Sequence, residues 1–367
     1  MTDRTPPGAT ATRRPTLRTL AEMTGFSIAT VSNAMNDSPV VAARTKDLIR
    51  SAAERISYAA NPRAASLRTG RTGLVAALLP VDVSAGNEWN GVGHAEVLSG
   101  VSQAIQGTPY QLSIFVVRDA AEGRMAAERI VTQRLADGIF FSGILTEDPR
   151  IDYLLRADFP FVALGRGLRP SGYAHVDIDS GWVAREATRR LIAGGHRRIA
   201  LLNPEPRFAY AQERIAGYRA ALAEAGLPLA GDLIAEGDLT ARFGRQSVLH
   251  LRGLEDPPTG FVCANEAATL GLLAGLNSLG LSPDGAVSVI AYDDLNVSAY
   301  FSPPVTTYFQ PVEELGRTLG AFLLRRMAGE PPEHLIKVFR PSLIPRQPDR
   351  LARREMDDVP IQQRRQT

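Results

Sequence analysis

Thr16-Leu17-Arg18-Thr19-Leu20-Ala21-Glu22-Met23-Thr24-Gly25-Phe26-Ser27-Ile28-Ala29-Thr30-Val31-Ser32-Asn33-Ala34-Met35-Asn36 reads as two short helices joined by a tight turn. Thr16 has the side-chain oxygen to cap a helix whose apolar residues Leu17, Leu20 and Ala21 recur at i, i+3 and i+4. Gly25 can adopt the positive φ that ends it sharply. Ser27 caps the next helix, which sets Val31, Ala34 and Met35 on a core stripe and leaves Ile28, Ala29, Ser32 and Asn33 on the opposite face. A third amphipathic helix, Thr45 to Ile56, offers Leu48, Ile49, Ala52, Ala53 and Ile56 to close a three-helix core. Three short helices suffice for a small DNA-binding unit. Composition alone also fits a plain solvated surface at the Ile28 to Asn33 face.

Charge distribution separates this head from the rest of the chain. The 367 residues carry a net charge of only +2, but residues 1 to 73 hold eleven Lys and Arg against five Asp and Glu, a net of +6, leaving −4 for the remainder. A basic head on a mildly acidic body suits contact with phosphates at the head. At 44% hydrophobic and 22% charged residues, the chain is long enough for more than one cored domain. The single cysteine, Cys263, cannot form an intrachain disulfide, and it ends an apolar run as a buried structural thiol would. Residues 1 to 15 have no apolar run of signal-peptide length and no later segment is fit to span a bilayer, so a soluble cytoplasmic protein is expected. No cofactor or metal is expected either. Gly91-x-Gly93 lacks the third glycine of a dinucleotide motif, and His94, His175, His196, His250 and His334 show no ligand spacing.

From Leu74 onward, short β-rich runs alternate with helical segments: Leu74 to Leu79, Leu112 to Val117, Gly138 to Ser142, Phe161 to Leu164, Ile199 to Leu202, Phe261 to Cys263 and Val287 to Ala291. The alternation implies an α/β body of two parallel-sheet subdomains, with a seam near Phe161 to Ile178 and a return around Thr306 to Pro311. Open parallel sheets bind ligands beyond the carboxyl ends of their strands, and two facing sheets make a cleft that closes by hinge motion. Asn265 and Glu266, Asp293 and Asp294, and Gln310 each follow such a strand. Arg214 lies early in a helix after another, one and a half turns beyond Phe208. Each alone reads equally as a loop cap or a surface salt bridge; their shared location points to one site.

The Thr16 to Asn36 segment, with Thr45, Tyr58, Asn61 and Ala64-Ala65-Ser66-Leu67-Arg68-Thr69-Gly70-Arg71-Thr72-Gly73-Leu74, resembles the DNA-binding head and hinge of the LacI/GalR (lac repressor) family. In the body, Gly194-Gly195-His196-Arg197-Arg198, Arg214-x-x-Gly217-Tyr218, Asn265-Glu266 and Ile290-Ala291-Tyr292-Asp293-Asp294 resemble the family's effector domain, which is similar to periplasmic sugar-binding proteins. The resemblance implies a disordered arm (1–15), a helix-turn-helix domain (16–60), a hinge (61–73), an effector-binding and dimerisation body (74–344) and a disordered tail (345–367). It implies base contacts from Ile28, Ala29 and Asn33, and phosphate contacts from Thr16, Ser27, Thr30, Ser32, Asn36 and Thr45. It further implies effector contacts from Arg214, Asn265 and Asp293, with Gln310 and Phe208 beside them and His94 following Trp89 and Asn90 on the other half.

The partners so implied are palindromic double-stranded operator DNA, a second copy of the chain, and a small effector. Arg, amide and carboxylate around an aromatic surface suit a sugar, and purines are the family's other effector class. The chemistry expected is that of a repressor rather than an enzyme. The other readings are a solute-binding protein of the same fold, or a sugar or nucleotide enzyme. Three departures stand out. Asn33 occupies a position where the family often has Arg, which favours adenine over guanine. Ala42 stands where a capping Ser is usual, a loss of about 1 kcal/mol. Thr19 replaces a common acidic residue.

The hinge carries the first prediction. Asn61 to Gly70 is too short to stay helical alone in water, so it should order only when two hinges pair on a palindrome and bury Ala64 and Leu67. The family resemblance implies that the leucines wedge into the central minor groove, recovering the unstacking cost through the contacts that bent DNA allows. Leu67→Ala is expected to weaken specific operator binding at least tenfold and to reduce bending, with effector affinity unchanged. Gel-shift titration with circularly permuted operators measures both, and normal bending in the variant overturns the wedge.

Overall fold

The computed structural model describes residues 15–58, 70–80, 93–168, 172–283, 286–293 and 295–346. The chain divides into two compact units, Met1–Thr72 and Gly73–Thr367. The arm to residue 14, the hinge residues Ala64 and Leu67, the loop bearing Trp89 and Asn90, and the tail from residue 347 lie outside the described residues.

In the head, helices α1 (Leu17–Thr24), α2 (Ile28–Met35) and α3 (Ala43–Arg55) pack around Leu20, Ala21, Val31, Ala34, Val41, Ile49 and Ala53. Thr16 and Thr19 cap α1 reciprocally: Thr19 N–H donates to Thr16 Oγ1 at 3.3 Å and Thr16 N–H to Thr19 Oγ1 at 3.2 Å. Thr19 thus does the work that an acidic residue does in a usual capping box. Gly25 ends α1 at φ 75°, and Ser27 Oγ accepts from Thr30 N–H at 3.1 Å to start α2. The third helix begins at Ala43, two residues before the expected Thr45, and its N-cap residue Ala42 offers no side-chain cap. Leu48 corrects the sequence reading: it is 50% exposed, while Ile49, Ala52 and Ala53 are buried. Two helices of about 12 Å cannot cover the whole apolar arc of a longer third one.

The body holds two six-stranded sheets of matching order. Its elements are β1 (Leu74–Pro80), α4 (His94–Ile105), β2 (Gln111–Val117), α5 (Ala120–Gln133), β3 (Gly138–Phe141), α6 (Pro149–Arg156), β4 (Phe161–Leu164), β5 (His175–Ile178), α7 (Ser180–Ala193), β6 (Ile199–Pro204), α8 (Ala209–Glu224), β7 (Ile234–Gly237), α9 (Ala241–Arg252), β8 (Gly260–Cys263), α10 (Glu266–Ser278), β9 (Ser288–Asp293), β10 (Thr306–Phe309), α11 (Val312–Met327), β11 (Ile336–Phe339) and β12 (Ser342–Ile344). The first sheet runs β11-β5-β4-β3-β1-β2 and the second β12-β10-β9-β8-β6-β7, with only the β10–β12 pair antiparallel. Residues of the inner strands are buried on both faces, as parallel sheets covered by helices require, while the edge strands β2 and β11 keep exposed residues. In β1, Val75 and Ala77 meet α4 and α11, while Ala76 and Leu78 meet α5. The Cys263 thiol is buried, and burial pushes it up to about 11, as suits a structural thiol.

Three crossings join the lobes. The first lies at the far end of the expected seam, between Ile178 and Ser180, since both β4 and β5 belong to the first sheet. The second follows β10 and delivers α11 onto β3, β4 and β5. The third, between Phe339 and Ser342, was not foreseen: β11 closes the first sheet and β12 the second. No helix among the described residues is long and apolar enough to cross a membrane.

Helices α7 and α8 approach at backbone distance. A Cβ on Gly217 would lie 2.0 Å from the Gly181 carbonyl oxygen. Gly217→Ala is therefore expected to force the helices apart and destabilise the body by about 1–3 kcal/mol, as overpacking does. Calorimetry measures it, and an unchanged melting temperature would mean that the contact is loose.

Candidate functional site

The carboxyl edge of the second sheet gathers the residues expected there. Strand β6 leads through Phe208, which caps α8, to Arg214 one and a half turns later. Asn203 fixes that helix start from within β6, donating from Nδ2 to the Ala211 carbonyl at 3.0 Å. Arg214 is 8% exposed, and its guanidinium carbon lies 5.2 Å from the Tyr210 ring centre and 4.6 Å from that of Tyr292. Its Nη1 is buried without a hydrogen-bond acceptor among the described residues. Two ring faces offset part of the cost of burying a cation, but not the unmade hydrogen bond. Phe208 stacks on Tyr210 with centroids 5.4 Å apart and planes at 26°, extending the aromatic surface.

The other predicted residues have different occupations. Asn265 caps α10: its Oδ1 accepts from Ala268 N–H at 2.9 Å and its Nδ2 donates to the Leu239 carbonyl at 3.0 Å. Glu266 is buried in the first turn of the same helix. Asp293 ends β9, paired in register with Phe309, and its side chain, like Asp294, lies outside the described residues. Gln310 is buried immediately after β10. His94 opens α4 in the first lobe, where burial lowers its pKa and keeps the imidazole neutral near pH 7.

The first lobe supplies the opposing lip. The segment after β3 pairs with the segment after β6: Ala209 N–H donates to the Ile144 carbonyl and Thr146 N–H to the Arg207 carbonyl, both at 3.0 Å. A buried ion pair holds this lip in shape, since Arg150 binds both carboxylate oxygens of Asp148 and donates to the carbonyls of Ser142 and Gly143. Beyond β4, Arg166 reaches Asp177 at 3.2 Å in its own lobe and Glu213 at 2.9 Å in the other. Burial pushes the Asp177 carboxyl up to about 7 against the pull of Arg166, and burial likewise raises Glu213.

On the head, Ile28, Ala29 and Asn33 share an exposed face of α2, and Ser32 is half-buried beside them. Thr16, Ser27 and Asn36 are exposed, with Thr30 and Thr45 half-buried. Thr16 and Ser27 sit at helix N-termini, where unpaired N–H groups favour an anion. Asn36 donates to the Ser32 carbonyl at 2.6 Å, closing α2.

A family model described as a periplasmic binding protein-like domain matches residues 188–347. The HTH-type transcriptional regulator CelR of Thermobifida fusca is 31% identical over 339 residues, covering 91% of this chain and 98% of that protein. A solved LacI-family regulatory protein from Chloroflexus aggregans superposes with a TM-score of 0.69 at 29% identity, covering 75% of this chain and 98% of its own. This chain belongs to the LacI family of transcription regulators. A solved CelR, described as its cellobiose complex, matches with a TM-score of 0.68 at 29% identity over 91% of this chain and 99% of that one.

Within this LacI-family regulator, sequence reasoning missed Tyr210, Tyr292, Asp177 and Glu213 at the cleft. Tyr210 lies two residues after Phe208 and Tyr292 immediately before Asp293, so an aromatic beside each predicted contact was the available signal. Asp177 and Glu213 gave none, because their meeting with Arg166 depends on how the lobes face. The buried Nη1 of Arg214, without an acceptor among the described residues, predicts a trade of stability against function. Arg214→Met is expected to raise the unfolding free energy of the ligand-free protein by about 1 kcal/mol, by removing an unsatisfied buried donor while keeping volume. Urea denaturation measures this, and a destabilised variant would mean that the two rings fully compensate the cation.

Proposed function

We propose that this LacI-family regulator is a cytoplasmic homodimer that grips a palindromic operator through its two heads, under the control of a sugar bound in the cleft of each body. One observation carries the effector reading: Arg214 is buried between two tyrosine rings, with Nη1 lacking an acceptor among the described residues. A polyol hydroxyl supplies that acceptor, and the Phe208–Tyr210 stack suits the apolar face of a pyranose ring. Gln310 follows β10 and Asp293 ends the neighbouring β9, so both belong to the same sheet edge. Asn265 serves this site chiefly by fixing the start of α10 and the Leu239 loop. The relative CelR, solved as a cellobiose complex, supports a saccharide as the effector class.

For the operator, α2 carries the reading. Ile28 and Ala29 can only touch a thymine methyl or exclude water, so Asn33 is the hydrogen-bonding base reader, suited to adenine N6 and N7. Thr16, Ser27, Thr30, Ser32, Asn36 and Thr45 offer short hydroxyl and amide groups for phosphate oxygens. The half-sites are related by the dimer axis.

A thermal-shift screen of mono- and disaccharides and nucleosides against the full chain tests the effector class. A saccharide is expected to raise the melting temperature, and Arg214→Ala to remove about 1.5–3 kcal/mol of its calorimetric affinity while leaving operator binding intact. Stabilisation by nucleosides alone overturns the sugar assignment. For the head, Asn33→Ala is expected to relax preference at one base pair per half-site by about 1–3 kcal/mol in selection from a randomised operator library. Preference retained at every position transfers the reading to another residue.

A further inference from the structure

The Arg166 cluster belongs to neither the reading face nor the aromatic end of the cleft, yet it spans both lobes. Arg166 follows β4 in the first lobe. Its Nη1 lies 3.2 Å from Oδ2 of Asp177, on β5 of the same lobe, and its Nε lies 2.9 Å from Oε1 of Glu213, on α8 of the other. Glu213 is the residue immediately before Arg214, so whatever holds Glu213 also sets where the effector-facing guanidinium stands. We propose that Arg166 and Glu213 form an ionic latch that holds the lobes closed, and that Asp177 competes for Arg166 from within its own lobe. The latch adds regulation to the cleft assigned above to a sugar and rests on that reading, but its test uses neither sugar nor operator.

The latch works with two backbone hydrogen bonds between the lips, Ala209 N–H to Ile144 O and Thr146 N–H to Arg207 O, which parting of the lobes would break. One guanidinium faces two carboxylates, so ionised Asp177 adds a negative charge near Glu213 and draws Arg166 back into the first lobe. The surrounding charges leave this competition in place. Asp179 beside them is engaged by Arg340 at 3.4 Å, Arg214 is turned toward its two tyrosines, and His175 is disfavoured as a cation by burial and Arg166.

Closure therefore couples to protons. Burial and, against the pull of Arg166, the Glu213 charge raise the Asp177 carboxyl from an ordinary 3.8 to about 7, and parting of the lobes would remove the contribution of Glu213. A group whose pKa is higher in the closed state favours closure when protonated, so closure weakens as pH rises toward 7 and levels off above it.

Hydrogen exchange on the full chain, read by mass spectrometry over residues 143–148 and 205–211 and corrected for intrinsic rates, reports closure at the Thr146 and Ala209 amides. Glu213→Gln is expected to lower their protection at least tenfold, with the intralobe amides of Ala163 and Ala264 unchanged as a check that both lobes stay folded. Reversing the pair, Arg166→Glu with Glu213→Arg, in an Asp177→Asn background where the new carboxylate meets no second one, is expected to restore protection to within threefold of Asp177→Asn alone. Wild-type protection at the two amides is expected to fall at least threefold from pH 5 to pH 8, and Asp177→Asn to remove that fall. Unchanged protection in Glu213→Gln, or no recovery on reversal, overturns the latch. A pH response that persists in Asp177→Asn overturns the competition.

Discussion

Contact between helix backbones, possible only where side chains are absent, organises the body of this regulator. Each of three helix pairs on the sheets meets through glycines. Besides Gly217 against Gly181, a Cβ on Gly271 would lie 1.8 Å from the Ala241 carbonyl oxygen, and one on Gly316 would lie 2.3 Å from that of Val97. These contacts bind α7 to α8, α9 to α10 and α4 to α11. Close-packed interiors transmit displacement rather than absorb it, so each pair moves as one body with its sheet. Arg214 and Glu213 ride on α8, and their positions are thereby set by the second lobe as a whole. Motion is left to the seams between lobes.

Across that seam, polar groups are held at some cost. Arg214 keeps a buried nitrogen without an acceptor, and Asn203 spends its Nδ2 on α8 while its Oδ1 has no partner among the described residues. Arg150 and Asp148 answer in the first lobe with a fully hydrogen-bonded buried pair that stiffens the lip. The rigid lip and the under-satisfied cleft are complementary, since a ligand can only shift the lobes by what it gains in one arrangement over the other.

Legibility in the sequence followed the locality of the physics. The head was readable because its caps and turn are decided within a few residues: Thr16, Gly25 and Ser27 act where the spacing placed them. Leu48 escaped because its exposure depends on how far α1 and α2 extend over α3, which no periodicity records. Strands such as Phe161–Leu164 announce themselves as apolar runs. By contrast, His175-Val176-Asp177-Ile178 alternates polar and apolar residues although it lies inside a parallel sheet, with His175 and Asp177 both buried. Strands β11 and β12 were hidden for a related reason, being short edge strands on opposite sheets joined by two residues. At the cleft, a polar residue just after a strand was the usable signal. It singled out Gln310 and Asp293, and it could not tell that the Asn265 amide is engaged as a helix cap.

The route from cleft to head is set by where the chain enters the body. Gly73 N–H donates to Asp137 Oδ2 at 2.8 Å, and Asp137 N–H donates back to the Leu74 carbonyl at 2.8 Å, so the first residues after the hinge are tied to the start of β3. The start of the body is thus tied to the first lobe. The effector contacts proposed on α8, β9 and β10 belong to the second. Any change in how the lobes face one another, including one governed by Arg166 and Glu213, therefore displaces the hinge anchor relative to the effector-binding sheet. In the dimer proposed above, that displacement would change the spacing of the two points at which the bodies begin. An operator with fixed half-site spacing binds the two arrangements unequally, and this inequality is the coupling free energy that makes an effector a regulator.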